Sequence, residues 1–188
     1  MNKFLKTFPT VVLVSLMAAP AMPQANSPAI TIGGGHDTLG VDRGRPVILV
    51  AAGLGVPPQV FRDAFSHVRP APAGQEPDPE QVRRNKRALM DALAKYGVTN
   101  ELLDSVSNYY RYPPGRGNIW RNRVAKIEAI VKGNAVTGFR VVDGGAGYTS
   151  VPTISVEGHP EVKAVVTVAY GKDLKTNGSI SKVELINM

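Results

Sequence analysis

The chain has 188 residues, no cysteine, 22 Lys and Arg against 15 Asp and Glu, and a formal net charge of +7. Without cysteine it has no disulfide framework, no thiol nucleophile and no lipid-modified cysteine, so its stability rests on a packed core. The mildly basic balance favours anionic surfaces but does not by itself identify a nucleic-acid binder.

Lys3 and Lys6 precede an apolar stretch centred on residues 11–19, and small residues follow. This is the order of a secretory signal peptide. The stretch is shorter than the roughly 20 residues that span a bilayer, and Pro20 and Pro23 come directly after it, so cleavage is predicted rather than anchoring. Ala19-Pro20-Ala21 offers small residues at both recognition positions, which places the cut after Ala21, with Ala25 as the alternative. The sequence thus predicts an exported protein, periplasmic or extracellular, with no transmembrane segment after cleavage. Removing residues 1–21 leaves 167 residues (188 less 21) and a charge of +5 (+7 less Lys3 and Lys6). A chain of that order buries about 70% of its unfolded surface, enough for a core without staples.

Residues 26–46 are glycine-rich and read as an extended arm or loop. Gly33-Gly34-Gly35 invites comparison with a phosphate cradle, but no Gly-Lys-Ser/Thr ending follows and no strong strand precedes it. Residues 47–110 read as a helical domain. Val60, Phe61, Ala64, Phe65 and Val68 form an apolar stripe behind Pro57-Pro58, which suits a first helical turn. A Pro-rich link from Pro70 to Pro79 separates it from a longer helix marked by Val82, Leu89, Leu93 and Tyr96, with Arg83, Arg84, Lys86 and Arg87 on its other face. The text around Leu54-Gly55-Val56 is echoed around Tyr96-Gly97-Val98 at an offset of 42. Each copy reads as helix, Gly-Val turn and capped helix, so Gly55 and Gly97 are predicted to close helices in left-handed conformations, and two helical hairpins to pack as a unit of about four helices.

From Val124 the apolar period changes to two. Residues 124–142 and 162–186 read as two hairpins of similar text, the second with an insertion, Lys172 to Asn177, in its turn. They are predicted to join one antiparallel sheet system with Val151 to Val156 beside them. The fold class is therefore α+β, helical hairpins followed by a small antiparallel β domain over 124–188. In the connecting passage, Gly145-x-Gly147-Tyr148-Thr149-x-x-Pro152-Thr153-Ile154 resembles a β module repeated in bacterial surface and phage tail proteins. The resemblance covers the 65 residues from Val124 to the end. It implies display or adhesion and transfers no catalytic residue. The mature chain as a whole also resembles exported bacterial proteins of unknown function, which adds no mechanism. Gly145 and Gly147 are read as a sharp turn, and Tyr148 as a structural aromatic at the core edge.

Chemistry-bearing patterns are sparse. His36, His67 and His159 lack metal-site spacing, although His36-Asp37 with Asp42 would suit a cation if the loop folded around it. Glu101 and Asp104 share a helix face in a first turn, where acids usually complement the helix dipole. The Gly-Val turns suggest a DNA-reading helix-turn-helix, but the second helices carry Asp63, Glu101 and Asp104 rather than a set of Arg, Lys, Asn and Gln, so no DNA partner is expected. The linker 111–123 and the residues before it are richer. Tyr109, Tyr110, Arg111, Tyr112, Arg116, Trp120 and Arg121 form an aromatic and arginine strip without an acid. Such residues stack on sugars and clamp phosphate or carboxylate; equally, the aromatics can wedge the helical part against the β part. The sequence thus predicts a non-catalytic binding or structural protein, without cofactor or metal, whose partner is an envelope glycan, an anionic polymer or another surface protein. The alternative is a secreted hydrolase with its site between the two parts.

Overall fold

The computed structural model describes residues 27–69, 78–112 and 117–186. The segment predicted to be a signal peptide, with both candidate cleavage positions, most of the Pro-rich link, and Arg116 lie outside the described residues.

Helix α1 (Val47–Leu54) is apolar on all sides, and Val47, Leu49, Ala51 and Leu54 are buried in the centre of the helical part. It ends on Gly55, whose φ of 74° lets its N–H reach back to the Ala51 and Ala52 carbonyls. The chain then bends by 105° into α2 (Pro58–Ser66), which carries Pro58 in its first turn and buries Phe61 and Ala64. Helix α3 (Pro79–Leu93) starts on Asp78, whose side chain accepts from the Glu80 N–H. A 3-10 turn, Ala94–Tyr96, closes on Gly97 at φ 81°. Thr99 accepts from the Leu102 N–H at 3.2 Å and so opens α4 (Asn100–Tyr109). Both Gly-Val turns therefore join helical segments through a left-handed glycine. Among the described residues no single helix is long and apolar enough to cross a membrane.

In the β part, β2 (Lys126–Lys132) pairs with β3 (Ala135–Asp143), and β5 (Ala164–Ala169) with β6 (Ser179–Leu185), both antiparallel. Ile127 and Ala129 are buried on β2 while their neighbours are exposed. A register shift between Ile130 and Val131 then ends the alternation and leaves Val131 exposed. The hairpins form separate two-stranded sheets, linked where the Ile180 N–H donates to the Gly144 carbonyl at 2.7 Å.

The predicted single sheet system with 151–156 alongside needs correction. Strand β4 (Thr153–Val156) pairs instead with β1 (Ile30–Gly33), inside the segment read as an arm. Ile30 and Ile32 pack on the β cores together with Ile154, giving the arm an apolar face to bury. Only two isoleucines carry that face, too short a period-two run to stand out beside so many glycines. The β part is thus built from both ends of the chain with the helical part inserted between them.

Candidate functional site

The two parts meet at a packed joint. The turn insertion at Lys172 to Asn177 reaches into the helical part, with Leu174 against its core. Asn177 is only 1% exposed. Its Nδ2 donates to the Leu49 carbonyl at 2.8 Å and to the Tyr110 hydroxyl at 2.9 Å, and its Oδ1 accepts from the Gly171 N–H at 3.2 Å. One side chain thereby ties α1, the end of α4 and the β5–β6 turn together. Burial pushes the Tyr110 hydroxyl up to a pKa of about 12, partly offset by the Asn177 hydrogen bond.

Trp120, 2% exposed, fills the other half of the joint. Its Nε1 donates to the Gly147 carbonyl at 2.8 Å, and its ring meets Tyr112 edge-on at 5.9 Å. His36 lies 6.2 Å from Trp120 and stacks on Tyr148 at 5.2 Å. Burial lowers the His36 pKa, against the smaller opposing effects of a Gly34 backbone hydrogen bond and the Asp37 charge. Tyr148 is buried, its hydroxyl accepting the Ala125 N–H at 3.1 Å. Its approach depends on close backbone contact: a Cβ on Gly145 would collide with the Arg123 carbonyl, and one on Gly147 would lie 2.7 Å from the Asn122 Cβ. Tyr110 and Trp120 thus form the wedge, one of the two roles the strip's aromatics allowed, and Tyr148 is buried in the β core on the other side of His36.

The rest of the strip faces elsewhere. Arg111 and Tyr112 line a groove of about 500 Å³ together with Arg43, Arg45, Val47, Val50, Phe61 and Phe65. The Tyr112 hydroxyl donates to the Gly44 carbonyl, fastening the linker to the loop that carries both added arginines. The Arg45 guanidinium lies 4.9 Å from the Phe65 ring centre. Arg43 has φ 50°, the only positive φ of a non-glycine among the described residues. The turn before it is held by Asp42, 6% exposed and doubly bonded by Arg62 at 2.7 and 2.9 Å. That ion pair consumes the loop's acid and raises the Arg62 pKa through the hydrogen bond. Among the described residues the groove is lined by three arginines and no carboxylate. Arg43 and Arg45 were legible as Arg-Gly-Arg in a loop, but Asp42 beside them hid their surplus charge.

Arg121 stacks over Tyr109 at 4.8 Å on another face, next to Arg123, which pairs with Asp143. The remaining candidates separate. Asp42 goes to Arg62, Asp37 accepts from Ser150 at 3.0 Å, and His36 stays in the joint, so the imagined cation loop is not assembled. Glu101's pKa is lowered by backbone and Thr99 hydrogen bonds at the helix start, and Asp104 pairs with Lys86 at 2.7 Å. His159 lies 3.2 Å from Glu161. No group of three or more metal-ligating side chains occurs among the described residues. The chain matches no family model, and no curated protein or solved structure is significantly similar to it.

Proposed function

We propose that this is an exported, non-catalytic binding protein that holds an anionic envelope polymer in the groove lined by Arg43, Arg45 and Arg111. The observation that carries this reading is the convergence of three arginines from two distant segments on one apolar floor with no carboxylate in its lining among the described residues, while Asp42, which lines the neighbouring cleft with Arg43 and Arg45, is held by Arg62. Guanidinium groups match phosphate and carboxylate bidentately, and the apolar floor lowers the local dielectric around them. A neutral glycan is less supported, because Tyr110 and Trp120, two of the rings that would stack on sugars, are buried. A hydrolase site between the two parts is less supported, because Tyr110, Trp120, Asn177 and the stacked His36 pack the joint. The two carboxylates of the cleft of about 240 Å³ beside it, Asp42 and Asp37, are bonded to Arg62 and Ser150. Display outside the cytoplasm is supported by the N-terminal pattern and by the resemblance of the Gly145–Ile154 run to surface-protein modules.

Binding of polygalacturonate and inorganic polyphosphate to the folded chain tests the reading. Each arginine contact to an anion is worth about 1.5–3 kcal/mol, so each of Arg43→Ala, Arg45→Ala and Arg111→Ala should weaken binding about tenfold or more. A control triple variant on the exposed face of α3, Arg83→Ala/Arg84→Ala/Arg87→Ala, removes three charges where each groove variant removes one, and should still retain binding. Equal losses in both sets would reduce the groove to non-specific charge. For export, protein from the envelope fraction should begin at Met22 or Asn26, and material beginning at Met1 would refute it.

A further inference from the structure

A second basic cleft, of about 340 Å³, is lined by Tyr109, Arg121, Asn122, Arg123, Ala146 and Lys175. Tyr110 lines the groove and Tyr109 lines this cleft; the rings are 5.0 Å apart and edge-on. The end of α4 is therefore a wall shared by both. Arg123 is engaged by Asp143. Arg121 lies on the Tyr109 face, and the cleft has no carboxylate in its lining among the described residues. Asp173, the acid nearest Lys175 in sequence, accepts from the Lys175 N–H at 3.0 Å and the Thr176 hydroxyl at 3.1 Å within its own turn. Arg121, stacked on Tyr109, and Lys175 are thus two cations lining one cleft, which meets a groove holding three more at the Tyr109–Tyr110 pair.

Resting on the groove reading above, we infer that the ligand is a linear polyanion, with repeated phosphate or carboxylate groups, that passes from the groove across the end of α4 into this second cleft. Lys175 belongs to the turn insertion that also locks the joint through Asn177, so the insertion fixes the helical part and delivers the second cleft's cation together. Once one end of a chain occupies the groove, the second contact is intramolecular, and two modest grips multiply. A short anion reaches only one of them.

The test compares tripolyphosphate with long-chain polyphosphate, and digalacturonate with polygalacturonate, each normalised per binding site, on the full folded chain. The long chains should bind about a hundredfold more tightly than the short ones, at the low end of the gain linkage provides. The phosphate or carboxylate series with the larger length effect names the source of the anion. Arg121→Ala/Lys175→Ala should leave the short anions' affinity for the groove unchanged, abolish any short-anion binding at the second cleft, and remove most of the length gain. Rescue by Arg121→Lys would separate charge from the stacking that a purely structural Arg121 supplies. A length effect that persists in the double variant, or long chains binding no better than short ones, overturns the second cleft and leaves the groove standing. Failure of every anion to bind removes the groove reading itself.

Discussion

Tyr110 and Arg111 are neighbours in the chain and both border the groove, but the tyrosine is 4% exposed with its hydroxyl bonded in the joint, whereas the arginine is exposed. The same split separates Trp120 from Arg121. In the joint the polar atoms of Tyr110, Trp120, Tyr148 and Asn177 have partners, as burial demands. Arg43 and Arg111, both exposed, line an open groove with no carboxylate in its lining among the described residues. A strip that reads as one feature in sequence is therefore two in space: Tyr110 and Trp120 hold the joint together, while Arg111 and Arg121 line open clefts.

The comparison breaks first at the joint. Trp120→Ala removes a fully packed ring and its bond to the Gly147 carbonyl, and should cost about 4 kcal/mol. Urea unfolding measures this, and once the variant is refolded in the cold its groove should still bind anions. Asn177→Leu keeps the volume but leaves the Leu49 carbonyl and the Gly171 N–H without the donor and acceptor they use now, a loss of about 2–3 kcal/mol. A joint variant that kept its stability and lost binding would reverse the two assignments. Gly97→Ala, at φ 81° with open space around it, should cost about 1 kcal/mol from backbone strain alone.

The groove should respond the other way. Arg43 holds a left-handed conformation that glycine adopts freely, so Arg43→Gly should raise stability by about 0.5 kcal/mol while weakening anion binding. Loss of stability on that change would mean that Arg43 is a packing residue rather than a ligand-binding one.

The helical part was largely legible because its signals are local. Gly55, Gly97, Thr99 and Pro58 mark helix ends within a few residues of the pattern they interrupt. The two β hairpins were legible for the same reason. The pairing of β1 with β4 was not, since its partners lie on opposite sides of the helical part and nothing near Ile30 announces Val156. The groove was half legible: Arg111 and Tyr112 stood out, whereas Arg43 and Arg45 became visible only when Asp42 proved to be buried with Arg62. Neutralisation between residues twenty positions apart is a tertiary fact.

The smallest expected effect is a pH dependence that isolates the joint from the groove. His36 is lowered below its ordinary pKa of 6.5 chiefly by burial against Tyr148 and Trp120. Above pH 6.5 it is neutral both folded and unfolded, and it contributes no slope. As pH falls below 6.5, the unfolded chain takes up a proton that the folded chain still refuses, so stability declines until the folded pKa is also passed. The sign is opposite to that of a histidine holding a carboxylate, whose stabilisation would grow on acidification. Urea midpoints at successive pH values between neutrality and mild acid should therefore drift downward, and His36→Gln should remove that part of the drift which the other histidines and the carboxylates do not supply. Arg43, Arg45 and Arg111 stay charged throughout this range, so anion binding by the folded protein should hold constant while the joint weakens. If binding and stability instead fell together with pH, the joint and the groove would be one coupled unit.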